Sequence, residues 1–201
     1  MLKSHNGFSL VEILISLLLG GVLLAMVINL YVTSVVTGTK SLKYSRLRAD
    51  IQSIMYLMET DIRRAGYGGR AFMVGSGANK TVDTISSGSE HCIIYSYNHD
   101  DSSSITSADK MGIRLNVSSH EIQFGTGVNP LASNCYQSGY WKALSDKKFI
   151  KITELRFLES IVSSSNATFR SVQIEINSEL TSESSAQYSQ SIKVQVRNPE
   201  R

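Results

Sequence analysis

A single stretch constrains this chain more than any other. Residues 13–39 contain no charged residue and no histidine. As a helix, that run is long enough to cross a bilayer core of about 30 Å. Glu12 stands at its start, where a carboxylate is costly unless a partner reaches it. An ordinary secretory signal places its small-residue cleavage site after the apolar stretch. Here the order is reversed. The short leader Met1–Gly7 and the pair Gly7-Phe8 come before the apolar run, so a cut there would leave the run on the mature protein. The plainer alternative is a signal anchor with Glu12 near the headgroups.

The segment Phe8-Ser9-Leu10-Val11-Glu12 after a basic leader ending in Gly7 resembles the type IV pilin family, including the pseudopilins of type II secretion. The resemblance implies that a prepilin peptidase cuts between Gly7 and Phe8 and that the amine of Phe8 is methylated. It implies that Glu12 meets the N-terminal amine of a neighbouring subunit during assembly. The physics agrees, since a cation brought by the next subunit offsets the cost of a carboxylate in hydrocarbon. It places the leader in the cytoplasm and the C-terminal domain in the periplasm, with a single pass through the inner membrane and later a place in the pilus at the cell surface. The positive-inside rule alone points the other way, because the leader holds one Lys and the far side holds Lys40, Lys43, Arg46 and Arg48.

The chain divides by pattern into a leader over 1–7, a transmembrane and assembly helix over 8–36, an amphipathic half of the same helix over 37–66, and a β-rich domain over 67–201. In the amphipathic half Leu47, Ile51, Ile54, Met58, Ile62 and Ala65 recur at steps of three and four, one stripe that a core must cover. Gly66-Tyr67-Gly68-Gly69 ends the helix, since glycine tolerates a left-handed cap. Gly20-Gly21 in the apolar half permits close approach of a partner helix or is simply tolerated. Major pilins often carry a helix-kinking proline in this half, and this chain has none there.

Beyond the helix, period-two alternation predicts strands at 91–97, 113–117, 121–124 and 149–158. Val172, Ile174 and Ile176 alternate with polar residues, as do Ile192, Val194 and Val196. These predict a closing antiparallel hairpin joined by a polar link over 181–187. Segments 75–90, 99–110 and 126–140, rich in Ser, Gly, Asn and Asp, read as loops. The fold class is α+β: a long N-terminal helix on an antiparallel sheet.

Leu57-Met58-Glu59-Thr60-Asp61-Ile62-Arg63-Arg64-Ala65-Gly66-Tyr67 resembles the helix end of PilW-type minor pilins, and shares an Asp-Ile-x-x-Ala core with the related J-type pseudopilins. The closing Val194-Gln195-Val196-Arg197-Asn198 resembles the last strand of both groups. The resemblance implies a low-abundance structural subunit that helps start a filament and sits at or near its tip. The partners implied are other minor pilins, the major pilin, the prepilin peptidase, the inner-membrane assembly platform, and membrane lipid before assembly. A pseudopilin of type II secretion is the second reading, and a tip module that binds DNA or a surface is the third.

Locally, Arg63 and Arg64 suit a helix C-terminus and Asp61 can pair with Arg64 at i,i+3. A charged contact between subunits is the competing role. Cys92 and Cys135 can pair if the domain is exported, or stay as buried thiols. No CxxC or HxxxH spacing accompanies His91, so no metal site is expected. Asp100-Asp101 reads as a solvated turn rather than a calcium contact, and Asp83, Glu90 and Asp109 lie in loops. Tyr95, Tyr97, Tyr136, Tyr140 and Trp141 read as sheet aromatics, with a stacking surface as the alternative. A formal charge of +3 is too mild to argue for nucleic acid by itself. No P-loop, Gly-x-Ser-x-Gly elbow or His-Glu-x-x-His occurs, so neither an enzyme nor a cofactor is expected.

Overall fold

Helix α1 runs over Leu10–Arg64, and among the described residues eight strands follow it. A computed structural model describes residues 9–88, 90–102, 104–135, 139–165 and 167–200. The chain separates into two units, Met1–Ser45 and Arg46–Arg201.

In the second unit the strands are β1 (Val82–Ser87), β2 (Glu90–Ser96), β3 (Lys110–Asn116), β4 (Glu121–Thr126), β5 (Tyr140–Ala143), β6 (Ile150–Ser163), β7 (Thr168–Leu180) and β8 (Glu183–Gln195). They form a five-stranded sheet in the order β1-β2-β3-β4-β5 and a three-stranded sheet in the order β6-β7-β8. Every pairing is antiparallel. Chain neighbours are sheet neighbours throughout each sheet, as short antiparallel connections favour.

One core joins three layers. The stripe Leu47, Ile51, Ile54, Met55, Met58 and Ile62 is buried against Ile93 and Tyr95 of β2, Ile113 of β3, Ile122 of β4, and Ile152, Leu155, Val172, Ile174, Ile176 and Val194 of the second sheet. Met55, four residues after Ile51 and three before Met58, lies on the same stripe. A smaller cluster of Val74, Ile94, Val128 and Ala132 covers the other face of the five-stranded sheet. β2 is therefore buried on both faces, which explains its unbroken apolar run Cys92-Ile93-Ile94-Tyr95.

Three expected boundaries are corrected. The link expected over 181–187 is only Thr181-Ser182, because β8 begins at Glu183 and Gln187 already pairs with Glu179. Its residues look like a loop because β8 is an edge strand whose exposed side chains are polar. The expected loop 75–90 contains β1, a Ser- and Thr-rich edge strand with little apolar signal, and the loop expected over 126–140 gives way to β5 at Tyr140.

Candidate assembly helix and its anchor

The N-terminal part of α1 is apolar on all sides, and none of its described residues before Leu47 is buried. Leu17 is 74% exposed and Tyr31 70%. By length and composition this helix can cross a membrane. Its polar side chains are tied to the helix itself: the Ser16 hydroxyl donates to the Glu12 carbonyl (2.7 Å), Thr33 to Asn29 (2.9 Å) and Ser34 to Leu30 (2.8 Å). Such local bonds let hydroxyls sit in hydrocarbon at little cost. Glu12 lies in the first turn with its side chain exposed, where a carboxylate also suits the helix dipole. Space is open around Gly20 and Gly21. Gly7 and Phe8 lie outside the described residues.

The C-terminal end of α1 is held by residues from far along the chain. The Tyr95 hydroxyl donates to one Asp61 carboxylate oxygen (3.1 Å) and the Tyr97 hydroxyl to the other (3.3 Å). Burial raises the Asp61 pKa, while the two tyrosines and the Arg64 charge work against that rise. Burial also pushes the Tyr95 phenol well up, reinforced by the Asp61 charge, so Tyr95 stays a donor. Asp61 thus bonds to the sheet rather than serving the local i,i+3 pairing with Arg64 that its position invites. Arg64 instead lies over the Tyr97 ring, 6.0 Å from its centroid, and Arg63 pairs with Glu59.

The last carbonyls of α1 have no partner inside the helix. Asn198 Nδ2 donates to the Arg64 carbonyl (3.1 Å) and the Ala65 carbonyl (2.8 Å), and the Arg197 N–H donates to the Arg63 carbonyl (3.2 Å). Gly66, at φ +75°, turns the chain so that its N–H reaches the Ser96 carbonyl (2.8 Å). A Cβ there would lie 2.7 Å from the Thr81 methyl, so both conformation and space require glycine. The two segments singled out in sequence, 57–69 and 194–198, therefore form one joint.

Sequence reasoning missed a second joint. Arg170 is 5% exposed and pairs with both Glu159 and Glu200. Its Nε donates to Glu200 Oε1 (2.8 Å) and its Nη2 to Glu200 Oε2 (3.0 Å). Glu200 also accepts from the Thr81 N–H (2.7 Å), and Glu159 from the Thr84 N–H (2.8 Å). Burial opposes the Glu200 charge, but Arg170 and Thr81 overcome it and hold its pKa below the ordinary value. The available signal was Arg170 at an inward position of the alternating run Arg170, Val172, Ile174.

Cys92 and Cys135 are bonded, with Cα atoms 5.6 Å apart, and fasten the segment after β4 to the second face of β2. Tyr95 and Tyr97 are buried, so they offer no stacking surface. Tyr140 is exposed, Trp141 lies under the Arg114 guanidinium (4.0 Å), and Tyr136 lies outside the described residues. His91 accepts or donates at Nδ1 to Ser86 Oγ (2.9 Å), and Asp83 pairs with Lys80. The Asp101 carboxylate lies 3.4 Å from the Tyr67 hydroxyl. His99, Asp100 and Asp109 bring ligand-type atoms within 4.8 Å of one another. The buried Asp109 carboxylate already accepts from the His99 N–H (3.1 Å) and from the Thr106 N–H and hydroxyl (both 2.7 Å), which is a loop-closing role. Glu90 belongs to β2, and its side chain lies outside the described residues.

Comparison with known proteins assigns both parts of the chain. Residues 2–28 match the prokaryotic N-terminal methylation motif. Residues 40–197 match the family described as prepilin peptidase-dependent protein B. No curated protein and no solved structure matches. A methylation motif on an apolar helix that is anchored by its far end to two antiparallel sheets is the organisation of a type IV pilin-like subunit, and the chain belongs to the prepilin peptidase-dependent protein B family.

Proposed function

We propose that this chain is a minor pilin of the PilW type, a non-enzymatic structural subunit that joins other minor pilins to start a filament and sits at or near its tip. The observation that carries this reading is the contrast within α1: an apolar half with no buried residue among those described, and a second half locked into a folded unit. The apolar half serves first as the inner-membrane anchor. After cleavage by the prepilin peptidase and extraction, it serves as a strand of the filament core, where helix contacts replace lipid contacts. Glu12 receives the amine of the adjacent subunit's first residue during that transfer. The major pilin and the inner-membrane assembly platform are the remaining partners. Before assembly the globular unit lies in the periplasm.

The test is deletion of the gene, with complementation by the wild type and by Glu12→Leu. Filament number per cell should fall on deletion, stay low with Glu12→Leu, and recover with the wild type. Quantitative peptide counting on sheared filaments should find the subunit far below the major pilin. Equal abundance of the two would make it a major subunit and end the tip assignment. Loss of protein secretion with normal surface filaments would favour the J-type pseudopilin reading, which the shared Asp61-Ile62-x-x-Ala65 core supports.

A further inference from the structure

Three hollows on the globular unit join end to end. The first, of about 460 Å³, is lined by Val162 and Phe169 and shares Lys193 and Gln195 with the second. The second, of about 440 Å³, shares Arg63 and Arg197 with the third. The third, of about 280 Å³, reaches Tyr56 and Arg64 on α1. Together they make one furrow along the seam where the end of β8 meets the end of α1. The Arg197 N–H closes that seam by donating to the Arg63 carbonyl (3.2 Å).

The middle of the furrow is basic and poorly compensated. Lys193 and Arg197 are exposed, and among the described residues no carboxylate pairs with either. Glu175 stands diagonally across the β7–β8 pairing from Lys193, but it accepts from Gln173 Nε2 (2.7 Å). Arg63 pairs with Glu59 through Nη2, while its Nε is buried without an acceptor. Arg64 lies over the Tyr97 ring, with the buried Asp61 charge nearby. The ends differ from the middle. In the first hollow Arg170 is already paired with Glu159 and Glu200, and Val162 is 69% exposed. In the third, Tyr56 is exposed and Glu59 forms part of the wall.

We infer that this furrow takes an extended acidic segment of a partner polypeptide. Its carboxylates lie against Lys193, Arg197 and Arg63, and an apolar side chain at one end lies against Val162 and Phe169. Charge and shape select that occupant. An inorganic anion is too small to span the three hollows. A nucleic-acid strand carries a charge on every phosphate. It would bring charge to the apolar first hollow, whose own Arg170 is already paired, and to Glu59 in the third. A polypeptide can gather its charge in the middle and stay apolar at one end, which is the pattern of the furrow. The inference concerns the surface of the globular unit alone, so it and the filament reading can fail separately.

The experiment uses the full chain in a neutral detergent and a labelled peptide, acetyl-Leu-Ser-Glu-Asp-Glu-Ser amide, with binding read by fluorescence anisotropy. Wild type should bind saturably and release the peptide as salt rises. Lys193→Gln and Arg197→Gln should each weaken binding by up to about fivefold, with Tm unchanged. Lys193→Glu combined with Arg197→Glu should abolish binding of the acidic peptide. The same double variant should bind a peptide with lysine at the three acidic places better than wild type does, which a misfolded protein would not. Val162→Ser should weaken the leucine-bearing peptide and leave its serine-for-leucine counterpart unchanged. Absence of saturable binding, binding indifferent to Lys193 and Arg197, or an equal effect of Val162→Ser on both peptides would each overturn the inference. So would an oligothymidylate that binds more tightly than the peptide and is lost in the double variant, since the furrow would then be a nucleic-acid site.

Discussion

The two halves of α1 differ in the solvent for which their surfaces are built. From Leu10 to Val36 the large apolar side chains point outward in every direction, and from Leu47 to Ile62 they point inward along one stripe. The second half is satisfied by its own chain. The first half is apolar all round, a surface suited to lipid or to other helices. One continuous helix thus carries two kinds of stability, one belonging to the monomer and one to its surroundings.

The strongest way to break that contrast is to truncate one branched side chain to alanine in each half. Ile51 is fully buried and Val27 is 61% exposed. Ile51→Ala should destabilise the globular unit by about 2–5 kcal/mol through lost burial and an unfilled cavity. Val27→Ala should leave its Tm unchanged and act only on membrane retention or filament incorporation. Thermal melts of both variants in the same detergent decide the matter. Equal Tm losses would mean that the apolar half contributes to monomer stability.

A somewhat smaller effect is expected on the far side of the five-stranded sheet. The Cys92–Cys135 bond closes a loop of sequence separation 43, for which removal costs about 2–4 kcal/mol. Paired Cys92→Ser and Cys135→Ser changes should lower the Tm and expose the cluster of Val74, Ile94, Val128 and Ala132 to hydrogen exchange first. Amides from Leu47 to Ile62 should exchange no sooner than global unfolding. If those amides lose protection alongside the cluster, the helix stripe and the second face are one cooperative unit.

What could be read from the sequence follows the same divide. The stripe from Leu47 to Ala65, the glycine stop at Gly66 and the alternation in β7 each reflect burial on one face, and burial leaves a period. β1 and the start of β8 look like loops in the sequence because edge strands exposed to water can be built from serine and threonine, whose composition matches that of a turn. The role of Arg170 is not legible in the sequence because a buried charge depends on partners, here Glu159 and Glu200, that lie far from it along the chain. The leader pattern is legible for another reason: the N-terminal methylation motif is a contiguous run within residues 2–28, so Gly7, Phe8 and Glu12 are recognisable without the fold. The joint between Asn198 and the end of α1 lay in two segments each noticed singly, and only the fold brings them together.

That joint offers a finer test of the second half. Asn198→Ala removes both side-chain donors from the Arg64 and Ala65 carbonyls and should cost about 1 kcal/mol, in the range of a lost neutral hydrogen bond. The readout is the urea midpoint, with amides of the last helical turn exchanging faster. An unchanged midpoint would mean that water replaces Asn198 without loss.

The smallest effect concerns the two carboxylates that open and close the helix. Glu12 is exposed at the start of the apolar half, whereas Asp61 is gripped by Tyr95 and Tyr97 at the end of the buried half. Burial holds the folded-state pKa of Asp61 above its ordinary 3.8. The folded state therefore binds this proton more tightly than the unfolded state does. The resulting stability is fully present below 3.8 and is lost as pH rises through the elevated folded value. Glu200 acts with the opposite sign, since its lowered pKa gives stability above its ordinary 4.5 that is lost as pH falls through the folded value. Comparing wild type with Asp61→Asn cancels the Glu200 contribution, which both proteins share. Asparagine stays neutral, so the stability of the variant relative to wild type should rise as pH increases from about 3.8 and then level off. Glu12→Gln, measured in the same way, should give no such change in the Tm of the globular unit. A flat difference for Asp61→Asn would show that the tyrosine bonds already compensate for burial at this end of the helix, and that its two carboxylates differ in partners but not in their bearing on the monomer.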